Sequence, residues 1–292
     1  MKGTLIPFIL ILFTMRFFLF LFLSTSGYCQ NSIKGKITNT NGVPLPYTNI
    51  VSLRNNNGTI TDDKGLFELN NLFINDTLKI SNIAFVPKLI PIISFLNNGI
   101  ITLNDSIKKL EEVIVRNFGS FRNNTKLGYF NFSNRGEFQL IPGNQLAIYI
   151  ANPTNREGWV KSVSFRVKRL GKCKNNLRVR LLEIDTLLSN PTYDILTENI
   201  IISNSNLRKN NTINLSDYKI VFPKTGLFVV LEWLQPDDEC DKNSYTSIAS
   251  NLETPTNEVW INYRDRKWGH SNRPRLPNGN YNTPNIGIEI AF

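Results

Sequence analysis

Short segments in which apolar and polar residues alternate recur along most of the chain. They predict β-strands, because successive side chains of a strand point to opposite faces of a sheet. Gly65, which follows Asp62 and Asp63, predicts a hairpin turn, because glycine readily adopts the positive φ that such a turn requires. Strands at this spacing predict a β-sandwich. In the first part of the chain they are Ser32–Ile37, Pro44–Leu53, Gly58–Thr61, Leu66–Leu69, Thr77–Ile83, Gly99–Leu103 and the closing strand Leu110–Val115.

A second set of strands follows a linker-like segment that is rich in Asn, Gly and Phe. Val163, Phe165 and Val167 alternate with polar residues, as in a half-buried strand, whereas Leu227–Leu231 is continuously apolar and predicts a central strand. No amphipathic helix of twelve residues is evident, so the predicted fold class is all-β, with a jelly-roll-like second sandwich. The predicted strands are Leu146–Ala151, Trp159–Lys168, Leu177–Ile184, Asn199–Ser203, Thr212–Phe222, Gly226–Leu234, Glu258–Arg264 and Asn285–Phe292.

The N-terminal segment predicts export. Residues 5–23 are almost wholly apolar, and the small or polar residues 24–29 that follow suit signal-peptidase cleavage before Gln30. Arg16 interrupts the apolar run, and a start at Met15 would make it the basic beginning of a short signal. Two alternatives stay open: an uncleaved membrane anchor and lipid attachment at Cys29. The predicted location is the periplasm, the cell surface or the exterior.

These patterns divide the chain into a signal peptide (1–29), a β-sandwich (31–115), a linker (116–144) and a C-terminal β-sandwich (145–292). The formal net charge is +10, and its Lys and Arg residues are scattered along the strands and loops. Nucleic-acid binding would need a basic stripe with stacking aromatics on one face, so nucleic acid is not a predicted partner.

The first predicted sandwich carries motifs of a known family. The stretches Gly42–Ile50 and Gly58–Phe67, with the closing strand Leu110–Val115, resemble the carboxypeptidase-regulatory-like domain. That domain is a transthyretin-type β-sandwich found at the N-termini of exported Bacteroidetes proteins, including outer-membrane receptors, and it is not itself catalytic. The second half, at Leu177–Leu182 and Gly226–Trp233, is similar to a C-terminal domain that accompanies this module in Bacteroidetes proteins and brings no known activity.

The cysteines allow one disulfide in the exported chain. If Cys29 leaves with the signal peptide, Cys173 and Cys240 are left as an even pair in an oxidising compartment. A bridge between them would stabilise the fold by roughly 4 kcal/mol on the chain-entropy argument. Two separate buried thiols are the alternative.

Catalytic chemistry finds little support in the residue types. His270 is the single histidine, and no Glu lies at the spacing that a zinc carboxypeptidase requires, so no metal or other cofactor is predicted. The Gly-x-Ser-x-Gly turn of many serine hydrolases is absent. Paired carboxylates of a glycoside hydrolase need no motif and stay possible, with candidates at Glu183, Asp185, Glu198, Glu232 and Glu258. Carboxylates on strands are, however, usually solvated groups of an outer face.

One segment near the C-terminus interleaves aromatic and cationic residues and is a candidate ligand surface. Flat aromatic faces with neighbouring charges suit sugar rings, acidic polysaccharide or a partner protein. Alternatively, the segment is a hairpin in which Trp260 and Trp268 pack inward and the cations face water. The candidate residues are Trp260, Tyr263, Arg264, Arg266, Lys267 and Trp268.

The function predicted from these patterns is an exported, non-catalytic binding or structural protein of the cell envelope or exterior. A carbohydrate or an envelope protein is the predicted partner, and association with the outer membrane is possible through the module shared with receptors. A carbohydrate-active hydrolase with its carboxylates in the second sandwich is the alternative, and an accessory to an outer-membrane receptor is a third interpretation.

Overall fold

The computed structural model describes residues 31–54, 57–95, 99–106, 123–130, 136–139, 141, 143–172, 176–234, 245–263 and 267–292. The predictions for the signal peptide, for the strand Leu110–Val115, for Cys29, Cys173 and Cys240, and for Arg264 and Arg266 lie outside these residues. None of the helices within the described ranges has the length and hydropathy that crossing a bilayer requires.

The described chain is built almost entirely from β-strands, which confirms the predicted all-β class. The one α-helix among the described residues is a single turn, α1 (Ile92–Phe95). The strands are β1 (Asn31–Asn39), β2 (Asn49–Ser52), β3 (Gly58–Ile60), β4 (Leu66–Leu72), β5 (Thr77–Ser81), β6 (Lys88–Pro91), β7 (Ile100–Leu103), β8 (Asn124–Gly128), β9 (Gly136–Gln139), β10 (Asn144–Ile150), β11 (Gly158–Arg169), β12 (Leu177–Ile184), β13 (Pro191–Asp194), β14 (Ile200–Ile202), β15 (Asn210–Asn214), β16 (Val221–Phe222), β17 (Leu227–Trp233), β18 (Ser247–Thr254), β19 (Val259–Tyr263), β20 (Trp268–His270), β21 (Tyr281–Pro284) and β22 (Ile286–Ala291).

Strands β1 to β7 form the first sandwich from two small sheets. One sheet has the order β4-β1-β7, with β1 and β7 parallel, and the other has the order β3-β2-β5-β6. Alternate residues of β4 and β5 are buried, as the sequence pattern predicts, so each sheet turns one apolar face inward. The buried side chains form one cluster that includes Ile37, Ile50, Leu78, Ile80 and Leu103.

Strands β8 to β22 form the second sandwich from two larger antiparallel sheets. The front sheet has the order β13-β12-β17-β10-β19-β20, with β14 beside β12, and the back sheet has β21-β18-β11-β22-β8, with β9, β15 and β16 added at its sides. The chain passes repeatedly from one sheet to the other, as in the predicted jelly-roll-like arrangement. One apolar core fills the space between the sheets, and its largest fully buried members include Phe222 and Trp233.

The predicted hairpin turn at Gly65 is confirmed. Gly65 has a φ of 72°, and a Cβ there would lie 2.6 Å from the carbonyl oxygen of Ile37, so a side chain is excluded on two grounds. The Asp62 carboxylate accepts hydrogen bonds from the backbone N–H groups of Lys64 (2.9 Å) and Leu66 (2.8 Å) and closes the turn. The residue types at Asp62 and Gly65 therefore determine the hairpin turn, as predicted.

Two predicted strands are shorter than expected. The prediction Pro44–Leu53 is wrong before Asn49, because the two prolines there have no backbone N–H for a ladder and Tyr47 adopts a left-handed φ of 54°. The prediction Thr212–Phe222 is divided into β15 and β16 by a 3-10 turn at Ser216–Tyr218, which Lys219 ends with a φ of 50°.

Part of the segment predicted as a linker is sheet. Strand β8 pairs with β22, and β9 pairs with β18, so both belong to the back sheet of the second sandwich. Their residues are largely polar because β8 lies at the edge of the sheet, where one face and one side remain open to water. Polarity alone therefore did not distinguish an edge strand from a linker.

Candidate functional site

A row of polar residues crosses the outer face of the front sheet, the face that points away from the core. Arg178 lies opposite Glu232, Glu232 opposite Gln145, and Gln145 opposite Asn262, on the neighbouring strands β12, β17, β10 and β19. Trp268 on β20 continues the line, directly opposite Asn262. We call the four residues Arg178, Glu232, Gln145 and Asn262 the polar row. All four are at most 3% exposed, although they lie on an outer face.

An ion pair occupies the end of the polar row on β12 and β17. Arg178 Nη1 lies 3.1 Å from Glu232 Oε2, and the side chains are 1% and 2% exposed. Gln145 Nε2 lies 3.4 Å from Glu232 Oε1. Charges buried this deeply require well-placed partners, because removing them from water costs several kcal/mol for each ion.

A second ion pair, Arg180 with Asp194, lies nearer the edge of the sheet and forms a network with the first pair. Arg180 donates to both carboxylate oxygens of Asp194, from Nε at 2.9 Å and from Nη2 at 2.7 Å. Its Nη1 donates to Gln145 Oε1 at 2.9 Å and lies 3.6 Å from Glu232 Oε2. The bidentate geometry fixes the orientation of the guanidinium and joins the two ion pairs into one network.

The first sandwich completes the network. Asn49 Nδ2, at the start of β2, donates to Glu232 Oε1 at 2.8 Å. Arg178 Nη2 donates to the backbone carbonyl oxygen of Tyr47, two residues before Asn49. The first sandwich therefore covers the Arg178–Glu232 end of the polar row.

Opposing influences act on the ionisation of Glu232. Burial alone raises the pKa of its carboxyl, but the guanidiniums of Arg178 and Arg180 and the hydrogen bonds from Asn49 and Arg178 together hold that pKa below its ordinary value. Burial lowers the pKa of the Arg178 guanidinium, against the opposing charge of Glu232. Glu232 is thus ionised at neutral pH, with its oxygens engaged by several donors.

A cleft of about 460 Å³ lies beside the network, between the two sandwiches. This volume falls within the range of about 300–1,000 Å³ that is typical of small-molecule sites. The aromatic side chains of Phe85, Tyr193 and Trp268 line it together with amides, hydroxyls and charged groups. The first sandwich contributes Asn49, Lys79, Ser81, Asn82, Ile83, Ala84, Phe85, Val86, Pro87 and Ser106, and the second contributes Gln145, Arg178, Arg180, Leu182, Thr192, Tyr193, Asp194, Thr197, Asn262 and Trp268.

The structure separates the residues of the predicted ligand surface. Trp260 is buried, packs edge-on against Phe228 with ring centroids 6.2 Å apart, and lies 3.8 Å from the His270 ring. Trp268 is half-buried and lines the cleft, whereas Tyr263 and Lys267 are exposed and do not line it. Inward packing, the alternative interpretation of this hairpin, thus describes Trp260. Trp268 packs in part against the same apolar cluster and also lines the cleft.

The five candidate carboxylates of the hydrolase interpretation do not converge. Glu183 and Glu198 are exposed, Asp185 caps its own loop through the N–H groups of residues 187 and 188, and Glu258 is half-buried elsewhere on the front sheet. Glu232 is buried in the network, which corrects the expectation that strand carboxylates here are solvated. Across the described ranges, no group of three or more His, Cys, Asp and Glu side chains could hold a metal ion.

Several residues of the cleft escaped the sequence analysis, namely Asn49, Arg178, Arg180, Tyr193 and Asp194. Glu232 offered a usable signal, because an acid inside the apolar strand β17 requires a buried partner. The alternation of Arg178 and Arg180 with Val179 and Leu181 showed which face the partner occupies. Nothing in the sequence around Asn49 indicated that the first sandwich would contact this network.

Comparison with known proteins identifies the first sandwich. Residues 33–115 match the CarboxypepD_reg-like domain, as the motifs predicted. A stretch of 109 residues is 31% identical to the TonB-dependent receptor SusC of Bacteroides thetaiotaomicron. That stretch makes up 37% of this chain and 10% of the receptor, so the chain spans about a tenth of the length of this curated relative.

Proposed function

We propose that this protein is an exported, non-catalytic binding protein of the cell envelope or exterior, and that its ligand occupies the cleft between the two sandwiches. One observation carries the proposal: the cleft is lined by residues of both sandwiches, by one exposed and two half-buried aromatic side chains, and by polar groups of the ion-pair network. Concave sites with apolar walls and a few well-placed polar groups are the usual form of small-ligand sites.

A binding role agrees better with the cleft than the hydrolase alternative does. A glycosidase requires a carboxyl that stays protonated near neutral pH, and therefore one with a raised pKa, facing a second carboxylate across the substrate. The pKa of Glu232 is lowered instead. Asp194, the acid that lines the cleft, has both oxygens bound to Arg180.

The side chains of the cleft favour a carbohydrate ligand. The apolar face of a sugar ring can pack on Trp268 or on Tyr193, a residue that is 70% exposed. The Thr197 hydroxyl and the amide oxygen of Asn82, whose amide nitrogen donates within the first sandwich, can exchange hydrogen bonds with sugar hydroxyls in this cleft.

The envelope location has two supports. The CarboxypepD_reg-like domain and the partial similarity to a TonB-dependent receptor favour an envelope-associated protein. The apolar N-terminal segment favours export. N-terminal sequencing of the protein recovered from cells tests export: a start near Gln30 supports it, and a soluble product that retains residues 1–29 contradicts it.

A glycan array with the purified exported protein tests the binding role. We expect saturable binding to a limited set of oligosaccharides, and loss of that signal in Trp268→Ala. Tyr218→Ala serves as the control, because Tyr218 is an exposed aromatic residue that does not line the cleft. Absence of glycan binding, or equal binding by both variants, contradicts the proposed site.

The shared module also supports a role beside an outer-membrane receptor. The relative that carries a similar segment is a TonB-dependent receptor. Affinity purification from solubilised outer membranes, after crosslinking in cells, tests this role. Recovery of a receptor of that class supports it, and recovery of the protein alone contradicts it.

A further inference from the structure

We propose that Asn49, Arg178 and Glu232 act as a joint that holds the two sandwiches in one orientation, and that the cleft exists only while this joint is closed. The joint is a property of the protein without ligand. Its effect on ligand binding rests on the function proposed above. Arg178 and Glu232 are therefore positioning residues of the cleft, in place of the catalytic role considered for Glu232.

The first sandwich supplies hydrogen-bond partners that Glu232 and Arg178 would otherwise lack. Without the first sandwich, Glu232 would lose the 2.8 Å hydrogen bond from Asn49, and Arg178 would lose its acceptor at Tyr47. Both side chains would also be opened to water, although each is at most 2% exposed in the closed arrangement. The second sandwich thus carries a charged pair whose partners are completed only by docking of the first.

The spacing of these hydrogen bonds limits how the two sandwiches can be oriented relative to each other. Tyr47 and Asn49 are two residues apart in the first sandwich, and their partners Arg178 and Glu232 face each other directly across β12 and β17. Two directional hydrogen bonds between these pairs restrict rotation as well as position. Apolar contacts alone allow neighbouring orientations, because they have no directional requirement.

The backbone at Tyr47 is held in the conformation that this contact uses. Its φ of 54° is left-handed, which is unfavourable for a tyrosine. The backbone N–H of Tyr47 donates to the Thr61 carbonyl oxygen at 3.0 Å, and its side chain is hydrogen-bonded with Asp63. Contacts within the first sandwich therefore hold this residue while its carbonyl oxygen accepts from Arg178.

The cleft depends on the joint because its two walls belong to different sandwiches. Phe85 lies on one wall, and Tyr193 and Trp268 lie on the other. Separation of the sandwiches would leave two open surfaces with no enclosed volume. A ligand that contacts both walls binds only the closed form, so ligand binding and closure are thermodynamically linked.

An isosteric charge change at Asn49 tests the joint without any ligand. Asn49→Asp places a second carboxylate within hydrogen-bond distance of Glu232, where two ionised carboxylates repel each other. Asn41→Asp is the matched control, because it makes the same change in an exposed turn of the first sandwich. The double variant Asn49→Asp with Glu232→Gln exchanges the amide and the carboxylate across the contact and restores a complementary pair.

Small-angle X-ray scattering of the purified exported protein is the measurement. We expect the radius of gyration to rise in Asn49→Asp, to stay at the wild-type value in Asn41→Asp, and to return to that value in the exchanged double variant. A profile of Asn49→Asp that superimposes on the wild type overturns the joint. So does a double variant that stays expanded, because the expansion then does not come from repulsion between residues 49 and 232.

The scattering experiment tests the joint whether or not the proposed function is correct. Scattering reports the joint alone, and the glycan array reports the ligand site alone. A joint that opens in Asn49→Asp while the wild type binds no glycan leaves the joint standing and removes the carbohydrate site. Glycan binding that is unchanged in an expanded Asn49→Asp protein removes the dependence of the cleft on the joint.

Discussion

The two faces of the front sheet show opposite solutions to burial. The inner face contributes continuous apolar side chains to the core between the sheets, including Leu231 and Trp233 of β17. The outer face of the same strand carries Glu232, which is equally buried but is paired with Arg178 and with a group from the first sandwich. The inner face is complete within one sandwich. On the outer face, an apolar cluster that includes Phe228, Val230 and Trp260 is likewise made of second-sandwich residues, whereas the Arg178–Glu232 pair is completed by the first sandwich.

This difference shows that a buried charged pair on an outer face indicates a docking partner. Apolar burial is non-directional and tolerates many arrangements, whereas a buried ion pair demands specific acceptors and donors. The inner face therefore holds the second sandwich together, and the outer face determines what docks on it. Substitutions on the two faces are expected to act differently, from the core outwards.

The largest effect is expected in the core between the two sheets, which the inner face of the front sheet borders. Phe222→Ala removes a fully buried aromatic ring from the core, and we expect a loss of about 3–5 kcal/mol in the free energy of unfolding. Chemical denaturation measures it, with Leu187→Ala as the control, because Leu187 is 92% exposed and its change should stay within about 0.5 kcal/mol. Equal losses in both variants would contradict the assignment of the core.

The next effect is expected on the outer face. Arg178→Met leaves Glu232 buried with the more distant Arg180, and we expect a loss of about 3 kcal/mol in the same measurement. Adding Glu232→Leu removes the unpaired charge, so the double variant should be more stable than Arg178→Met alone. A double variant less stable than the single one would show that the pair is needed for the fold itself.

A smaller effect is expected from acid. Because the folded pKa of Glu232 lies below its ordinary value of 4.5, its contribution to stability is present above that value and is lost as the pH falls through the folded pKa. The difference in thermal unfolding midpoint between the wild type and Glu232→Gln should therefore narrow below about pH 4.5. A difference that widens in acid would contradict the lowered pKa of Glu232 in the folded protein.

The smallest effect on stability is expected at the rim of the cleft. Tyr193→Ala should change the free energy of unfolding by less than about 0.5 kcal/mol, because the residue is 70% exposed. We expect it to weaken glycan binding about tenfold, or about 1.4 kcal/mol, in a calorimetric titration. Tyr263→Ala, in the predicted hairpin surface outside the cleft, should leave the affinity unchanged, and the opposite order would move the site to that hairpin.

The sequence pattern predicted those turns and strands whose conformation depends on residues close together in the chain. The turn at Gly65, the strand β12 and the central strand β17 follow directly from glycine, alternation and apolar continuity. The predictions missed β18, because Ser247–Thr254 is rich in small and polar residues that are nevertheless buried between neighbouring strands. Its burial depends on pairing with strands far away in sequence, including β9 and β21.

The candidate site was harder to predict for the same reason. Trp268 was singled out for its aromatic ring and does line the cleft, but its partners on the opposite wall are more than 160 residues away in the chain. Glu232 was singled out as an acid, and its true surroundings include Asn49 of the other sandwich. Residue types indicated which side chains needed partners, and only the tertiary arrangement supplied those partners.

Hydrogen–deuterium exchange with and without the glycan that binds most tightly tests the central claim most directly. If the ligand occupies the cleft between the sandwiches, exchange slows together in residues 82–87 of the first sandwich and 192–194 of the second. Protection confined to one sandwich, or to the hairpin of β19 and β20 alone, would contradict the claim.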